Sequence, residues 1–150
     1  MTGRFQGIHP KYLCPPQLAE RAPGNDRPRV LLECPPLFCP PIVAAALERD
    51  GFDVVVCKGP TRHRPCPLAN GGSCGAVESV DVVLNMLDSR DVDQAEVLPA
   101  LAEAGSDRAP VVAVIDGFDP GSSGVRTLDR KTKGPEIVAA VRGALDRQPT

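Results

Sequence analysis

Aromatic side chains are scarce in this chain, which has one tyrosine, four phenylalanines and no tryptophan among its 150 residues. Recognition of single-stranded nucleic acid depends largely on bases stacking on aromatic rings, so this composition argues against it. A basic surplus is also missing, because 17 lysines and arginines stand against 19 acidic residues and leave a net charge of −2. We therefore expect neither nucleic acid nor an anionic membrane as partner. The core has to be built from aliphatic side chains.

Long apolar segments are absent as well. The opening stretch, MTGRFQGIHPKYLCPP, holds no apolar run that could serve as the core of a signal peptide. No segment approaches the ~20 apolar residues of a membrane-spanning helix. We therefore expect a cytoplasmic protein. Because the cytosol keeps thiols reduced, the six cysteines indicate metal ligation, redox chemistry or small buried side chains rather than a disulfide framework.

The two parts of the chain differ in composition. Residues 1–28 are rich in proline and show little periodicity, which predicts an irregular amino-terminal arm. Residues 29–150 carry alternating apolar patterns and are long enough for one domain with a substantial core. We therefore predict a Pro-rich arm over 1–28 and a single folded domain over 29–150.

Two kinds of apolar pattern alternate along residues 29–147. Compact runs typical of buried strands occur at 29–34, 53–57, 80–87 and 109–117, with a possible short edge strand at 124–128. Helical patterns occur at 40–52, 91–105 and 134–147. Pro99 is expected to kink the second of these helices or to start its main part. This order predicts a small doubly wound α/β domain of the flavodoxin-like type. Its parallel sheet has the strand order 2-1-3-4 and is covered by helices on both faces.

The cysteines cluster near the predicted carboxyl edge of this sheet. Two of them end neighbouring strands, one precedes the first helix, and two lie in the long loop after the second strand. Cysteine thiolates gathered at one place bind zinc or an iron–sulfur cluster. The candidate ligands are Cys34, Cys57, Cys66 and Cys74, with Cys39 as alternate and His63 as a spare nitrogen ligand. Their spacing contains no C-x2-C pair, which such sites often use.

Other interpretations of the thiols remain open. Cys34 with Cys57, or Cys66 with Cys74, could form a redox-active pair, and Cys39 at a helix start is suited to be a reactive thiolate. Cys34 and Cys57 could equally be small buried residues at strand ends. Without a metal, the same loop and arm could form a protein-interaction module.

The order of elements over residues 29–147 resembles the receiver domain of response regulators, a (βα)5 fold. The resemblance implies an acidic pair at the end of strand one, where this chain has LLECPP with Glu33 followed by Cys34 and Pro35. It implies a phospho-acceptor aspartate at the end of strand three, where VDVVLNMLD places Asn85 or Met86. The cysteine-bearing segment is also similar to uncharacterised actinobacterial receiver-like proteins with a C-x-G-P … C-P-L stretch.

The remaining positions of the receiver pattern are replaced too. Strand four ends in Asp116, where a receiver has serine or threonine. Asp88 lies a few residues after the position of the phospho-acceptor aspartate. Near the position of the strand-five lysine, this chain has only Lys131 and Lys133. The resemblance therefore implies a receiver-like protein that has lost Mg²⁺ binding and aspartyl-phosphate chemistry. We predict a non-catalytic regulatory or accessory protein with a cysteine-rich zinc or iron–sulfur site and another protein as partner. A metal-free interaction module and a thiol-based redox sensor or enzyme are the alternatives.

Overall fold

The computed structural model describes residues 23–35, 40–61, 65–88, 90–104, 109–115 and 125–146. Five strands and five helices occur within these ranges. The strands are β1 Arg29–Glu33, β2 Asp53–Cys57, β3 Val82–Asn85, β4 Val111–Ile115 and β5 Val125–Asp129. The helices are α1 Pro40–Arg49, α2 Gly75–Glu78, α3 Val92–Ala95, α4 Val97–Ala104 and α5 Gly134–Asp146. None of the helices in these ranges is long and apolar enough to cross a membrane.

The strands form one parallel sheet in the order β2-β1-β3-β4-β5. The predicted α/β class and the predicted order of the first four strands are therefore confirmed. The short edge strand expected near residues 124–128 is also present, as β5 beside β4. The last residues of β1, β2 and β3 are paired with one another, so the carboxyl ends of these three strands lie side by side.

Two apolar cores lie on opposite faces of the sheet, because successive residues of a strand point to opposite sides. We call them the α4-side core and the α5-side core. The α4-side core joins the strands to α2 and α4 through Ala76, Val77, Val97 and Leu101. The α5-side core joins them to α1 and α5 through Leu47, Ile137, Ala140, Val141 and Ala144.

The helix predicted at 91–105 is divided in two. Asp91 caps α3, and its Oδ1 accepts hydrogen bonds from the amides of Asp93 at 2.9 Å and Gln94 at 3.1 Å. Glu96 separates α3 from α4. Pro99 explains the break, because it has no amide hydrogen to donate to a carbonyl one turn earlier and is tolerated only in a first turn.

The amino-terminal arm is described only from residue 23 onward. There the Pro28 carbonyl accepts a hydrogen bond from the Asp53 amide at 2.8 Å, which joins the end of the arm to the start of β2. The sheet begins at Arg29. The division into an arm over 1–28 and a domain over 29–150 stays a prediction. Cys14 and the rest of the arm lie outside the described residues.

Gly59 holds the loop after β2 against the loop after β3. Its φ is +87°, and a Cβ placed on it would lie 2.7 Å from Cδ2 of Leu87, which is 5% exposed. We expect Gly59→Ala to lower the free energy of unfolding by about 2 kcal/mol, from the positive φ and the overpacking together. Urea denaturation measures this loss.

Gly71→Ala is the matched control. Gly71 has φ +85°, but a Cβ at this position would meet no atom of the described residues outside its chain neighbours within 4 Å. Its substitution therefore carries the backbone cost of about 1 kcal/mol alone. Equal losses in the two variants would contradict close packing at Gly59.

Candidate functional site

A row of side chains crosses the sheet at its carboxyl edge. The register pairs Glu33 with Cys57 on one side and with Asn85 on the other, and Asn85 with Ala113. Residues paired in register project to the same face, and Cys57 belongs to the α4-side core. Glu33 and Asn85 are therefore two buried polar groups, 4% and 3% exposed, at the edge of an apolar core.

The two polar side chains are hydrogen-bonded to each other. Nδ2 of Asn85 donates to Oε1 of Glu33 at 2.8 Å. Burial raises the pKa of Glu33 from 4.5 to about 8, while the bond from Asn85 opposes the rise and a negative charge on Cys66 adds to it. At neutral pH Glu33 is consequently a mostly protonated carboxylic acid.

Three of the candidate thiols belong to the apolar core on the face of the sheet that Glu33 shares. Cys57, Cys66 and Cys74 are all members of the α4-side core and are 5%, 7% and 6% exposed. Burial is the main cause that raises the pKa of Cys74, and the charges of Cys66 and Glu33 raise it further. The loop after β2 therefore places Cys66 and Cys74 in the core that also contains Cys57.

Cys34 lies apart from these three thiols. Its backbone adjoins that of Cys57, since the Cys34 amide donates to the Cys57 carbonyl at 2.9 Å. Its side chain, 1% exposed, belongs to the α5-side core on the opposite face of the sheet. The two strand ends are neighbours as predicted, but the sheet separates their sulfur atoms. The other two predicted ligands, Cys39 and His63, lie outside the described residues.

The metal site remains a prediction. Within the described ranges, no group of three or more histidine, cysteine, aspartate or glutamate side chains is arranged to hold an ion. All four described cysteines are present as thiols. If zinc or an iron–sulfur cluster binds here, Cys57, Cys66 and Cys74 are the described thiols that already share one core.

Metal content tests this prediction directly. Protein purified anaerobically is expected to carry about one equivalent of zinc or an iron–sulfur chromophore, and Cys57→Ser to lose most of it. Elemental analysis and the absorption spectrum give the result. Cys34→Ser decides whether the thiol on the opposite face takes part. Metal-free wild-type protein would end the hypothesis.

A second group of polar residues surrounds the loop after β3. The Asp88 amide donates to Oε1 of Gln94 at 3.0 Å, and Oδ1 of Asp88 accepts from the Arg90 amide at 2.9 Å and from its Nε at 3.1 Å. These bonds from Arg90 hold the pKa of Asp88 below its usual value, and the charge of Arg130 adds a smaller effect. Asp88 is therefore engaged within its own loop.

Arg130 is a site residue that sequence reasoning did not single out. It directly follows β5, and its Nη2 donates to the Leu87 carbonyl at 3.4 Å across the carboxyl edge. This position corresponds to the strand-five cation that the receiver resemblance implies. Lys131 and Lys133, which the sequence suggested instead, lie in the turn that precedes α5. The signal that could have found Arg130 is its place immediately after the last strand residue.

Three described residues occupy positions that the receiver resemblance marks as functional. Glu33 ends β1, Asn85 ends β3 and Arg130 follows β5. An acid and a cation thus occupy two of the implied positions, while an amide occupies the acceptor position. Cys34, which stands in place of a second acid, is buried in the α5-side core. Asp116, after β4, lies outside the described residues.

Comparisons with solved structures agree with this fold. A response regulator receiver domain protein from Bacillus halodurans C-125 matches with a TM-score of 0.59 at 16% identity, covering 83% of this chain and 100% of that chain. A response regulator receiver protein from Sinorhizobium medicae WSM419 matches with a TM-score of 0.60 at 15% identity, covering 83% and 98%. The beryllofluoride-activated NtrC receiver domain matches with a TM-score of 0.57 at 18% identity, covering 83% and 99%.

Sequence comparisons add no closer relationship. No family model matches the chain, and no curated protein matches it. The similarity to uncharacterised actinobacterial proteins stays a prediction. At identities of 14–16%, receiver domains from several sources share the architecture of this chain. The chain has a receiver-like fold.

Proposed function

We propose that this chain is a non-catalytic, receiver-like regulatory domain that works without aspartyl phosphorylation. The observation that supports it is the Asn85–Glu33 pair. Asn85 ends β3, where a receiver carries its phospho-acceptor, and its amide donates to a buried acid 2.8 Å away. Formation of an acyl phosphate needs a carboxylate oxygen as nucleophile. The amide of Asn85 does not supply one.

The surroundings of Asn85 also disfavour a divalent cation. Mg²⁺ is bound by ionised carboxylates and waters in near-octahedral geometry. Burial raises the pKa of Glu33 to about 8, so that this acid is mostly neutral near pH 7. The neighbouring position is Cys34, whose side chain lies in the opposite core. Among the described residues, the carboxyl edge therefore lacks the paired charges that hold Mg²⁺ in a receiver.

We expect the output of such a domain to be contact with another protein. Its negative net charge of −2 gives no support to nucleic acid as partner. We expect a cytoplasmic location, as in the sequence prediction. The regulatory signal would then be partner binding, a bound metal or the state of the loop after β2, rather than phosphate.

Labelling with acetyl phosphate tests the proposal. Incubation with acetyl phosphate and Mg²⁺ is expected to leave the intact mass of the full chain unchanged. A receiver domain that retains its acceptor aspartate serves as positive control under the same conditions. Beryllofluoride should likewise produce no change in the amide NMR spectrum, whereas the NtrC receiver domain has a beryllofluoride-activated form. Stable labelling of any aspartate, Asp88 included, would overturn the proposal.

A further inference from the structure

The loop between β2 and α2 folds back on itself between its two cysteines. The Gly72 amide donates to the Pro67 carbonyl at 2.9 Å, and Nδ2 of Asn70 donates to the Cys66 carbonyl at 2.9 Å. Gly71, with φ +85°, makes the reversal possible at the exposed tip. Because these bonds close the turn over residues 67–72, Cys66 and Cys74 flank its two ends.

Both flanking side chains turn inward from this closed turn. Cys66 and Cys74 are buried in the α4-side core, where Leu68 and Ala69 of the same loop pack beside them. Burial is the main cause that raises the pKa of Cys74, and a charge on Cys66 adds to it. A disulfide needs Cα atoms roughly 4.4–6.8 Å apart. The bond from the Gly72 amide to the Pro67 carbonyl brings together residues close to the two cysteines, which therefore stand at the two ends of one closed turn.

We propose that Cys66 and Cys74 form a reversible intramolecular disulfide by exchange with a small disulfide such as oxidised glutathione. One protein thiolate attacks a sulfur of the small disulfide, which forms a mixed disulfide and releases one small thiolate. The second protein thiolate attacks the protein sulfur of that mixed disulfide and releases the other small thiolate. The protein loses two electrons and two protons, and these appear in two molecules of the small thiol.

The structure also provides a way for the reagent to reach the buried thiols. Residues 70–73 are exposed, and the hydrogen bonds that close the turn join residues within the loop. Such a segment opens locally at a lower free energy than the sheet does. Cys74 immediately precedes α2, whose Ala76 and Val77 pack in the α4-side core. Formation of the disulfide would therefore change the position of α2 and the environment of Glu33. This change would not depend on phosphorylation of an aspartate.

Tryptic mapping of the wild-type chain tests this inference. Arg64 is followed by Pro65, so trypsin leaves Cys66 and Cys74 in one peptide, residues 63–90, while Cys57 falls in residues 50–58. After oxidised glutathione in the presence of a chelator, then alkylation, peptide 63–90 is expected to lack two hydrogens and both alkyl groups. Added reductant should restore double alkylation.

Cysteine variants and the identity of the oxidation product show whether the disulfide joins Cys66 to Cys74. Cys34→Ser, on the opposite face, should leave the oxidation of peptide 63–90 unchanged, whereas Cys66→Ala and Cys74→Ala should each abolish it. Three results would overturn the inference. They are a disulfide that joins peptide 63–90 to peptide 50–58, glutathione adducts as the only product, and peptide 63–90 with both thiols fully alkylated. Phosphorylation would instead appear as a gain in mass at an aspartate. Failure of the proposed function can therefore be distinguished from failure of the disulfide to form.

Discussion

The Glu33→Gln variant is expected to become steadily more stable than the wild type as the pH rises from 4.5 to about 8. In the wild type, burial raises the pKa of Glu33 from 4.5 to about 8, so the folded state holds a proton that the unfolded chain has released. Folding then takes up a proton over this interval, and stability falls by about 1.4 kcal/mol per pH unit. Below pH 4.5 both states are protonated and the loss disappears.

The expected total effect is large for a domain of this size. The difference between variant and wild type should reach on the order of 3–5 kcal/mol and then level off above about pH 8. Glutamine keeps an oxygen that accepts the Asn85 bond, but its extra amide hydrogens add a cost that does not vary with pH. The pH dependence of the difference, rather than its absolute value, therefore reports the titration of Glu33.

Urea denaturation at pH 5, 7 and 9 under reducing conditions measures this difference. Glu103→Gln is the matched control, because it makes the same chemical change at an exposed position on α4. Burial raises the pKa of Cys74 in the same core, but this thiol is common to the wild type and the variant. Parallel stability curves for wild type and Glu33→Gln would show that Glu33 is solvated in the folded protein.

The second large effect is expected for Asn85→Asp, the substitution that restores a carboxyl at the acceptor position. It replaces the donor that lies 2.8 Å from Oε1 of Glu33 by a second acid. At pH 9 both groups tend to ionise inside a buried site, and an uncompensated buried charge costs about 3–5 kcal/mol. At pH 5 the two carboxyls can share a proton, so the loss should be much smaller.

Thermal and urea unfolding at pH 5 and pH 9 test this expectation. Asn25→Asp is the matched control, since Oδ1 of Asn25 accepts from the Arg27 amide at 3.2 Å and an aspartate retains that acceptor. The double variant Glu33→Gln with Asn85→Asp should recover much of the loss, because glutamine can donate to the new carboxylate. A pH-independent loss in Asn85→Asp would contradict the coupling of the two positions.

Much of the fold could be predicted from the sequence. The runs RVLLE and DVVVC are apolar without alternation, a pattern typical of strands buried on both faces. Gly51 and Asp91 mark a helix end and a helix start through ordinary backbone chemistry. These signals are local, which is why the order of the elements was predicted correctly.

The arrangement of the site depends on register, which is not local. The sheet pairs Glu33, rather than Cys34, with Cys57. A shift of one residue moves a side chain to the other face, so the predicted meeting of Cys34 and Cys57 needed information that neither strand contains. The same register brings Glu33 to Asn85. Both side chains are buried, and the raised pKa of Glu33 follows mainly from that burial.

Cys34 and Cys57 are buried on opposite faces of the sheet, so the reactivity of each thiol reports on the exposure of one face. Cys34 becomes reactive when the layer of α1 and α5 lifts from the sheet, whereas Cys57 becomes reactive when the opposite layer does. Pulsed alkylation followed by peptide mapping would therefore time the opening of each layer in the unmodified chain. A partner protein that binds one helical layer would lower the alkylation rate of the thiol beneath that layer and leave the rate on the other face unchanged. The alkylation rates would therefore show which face of the domain the partner binds.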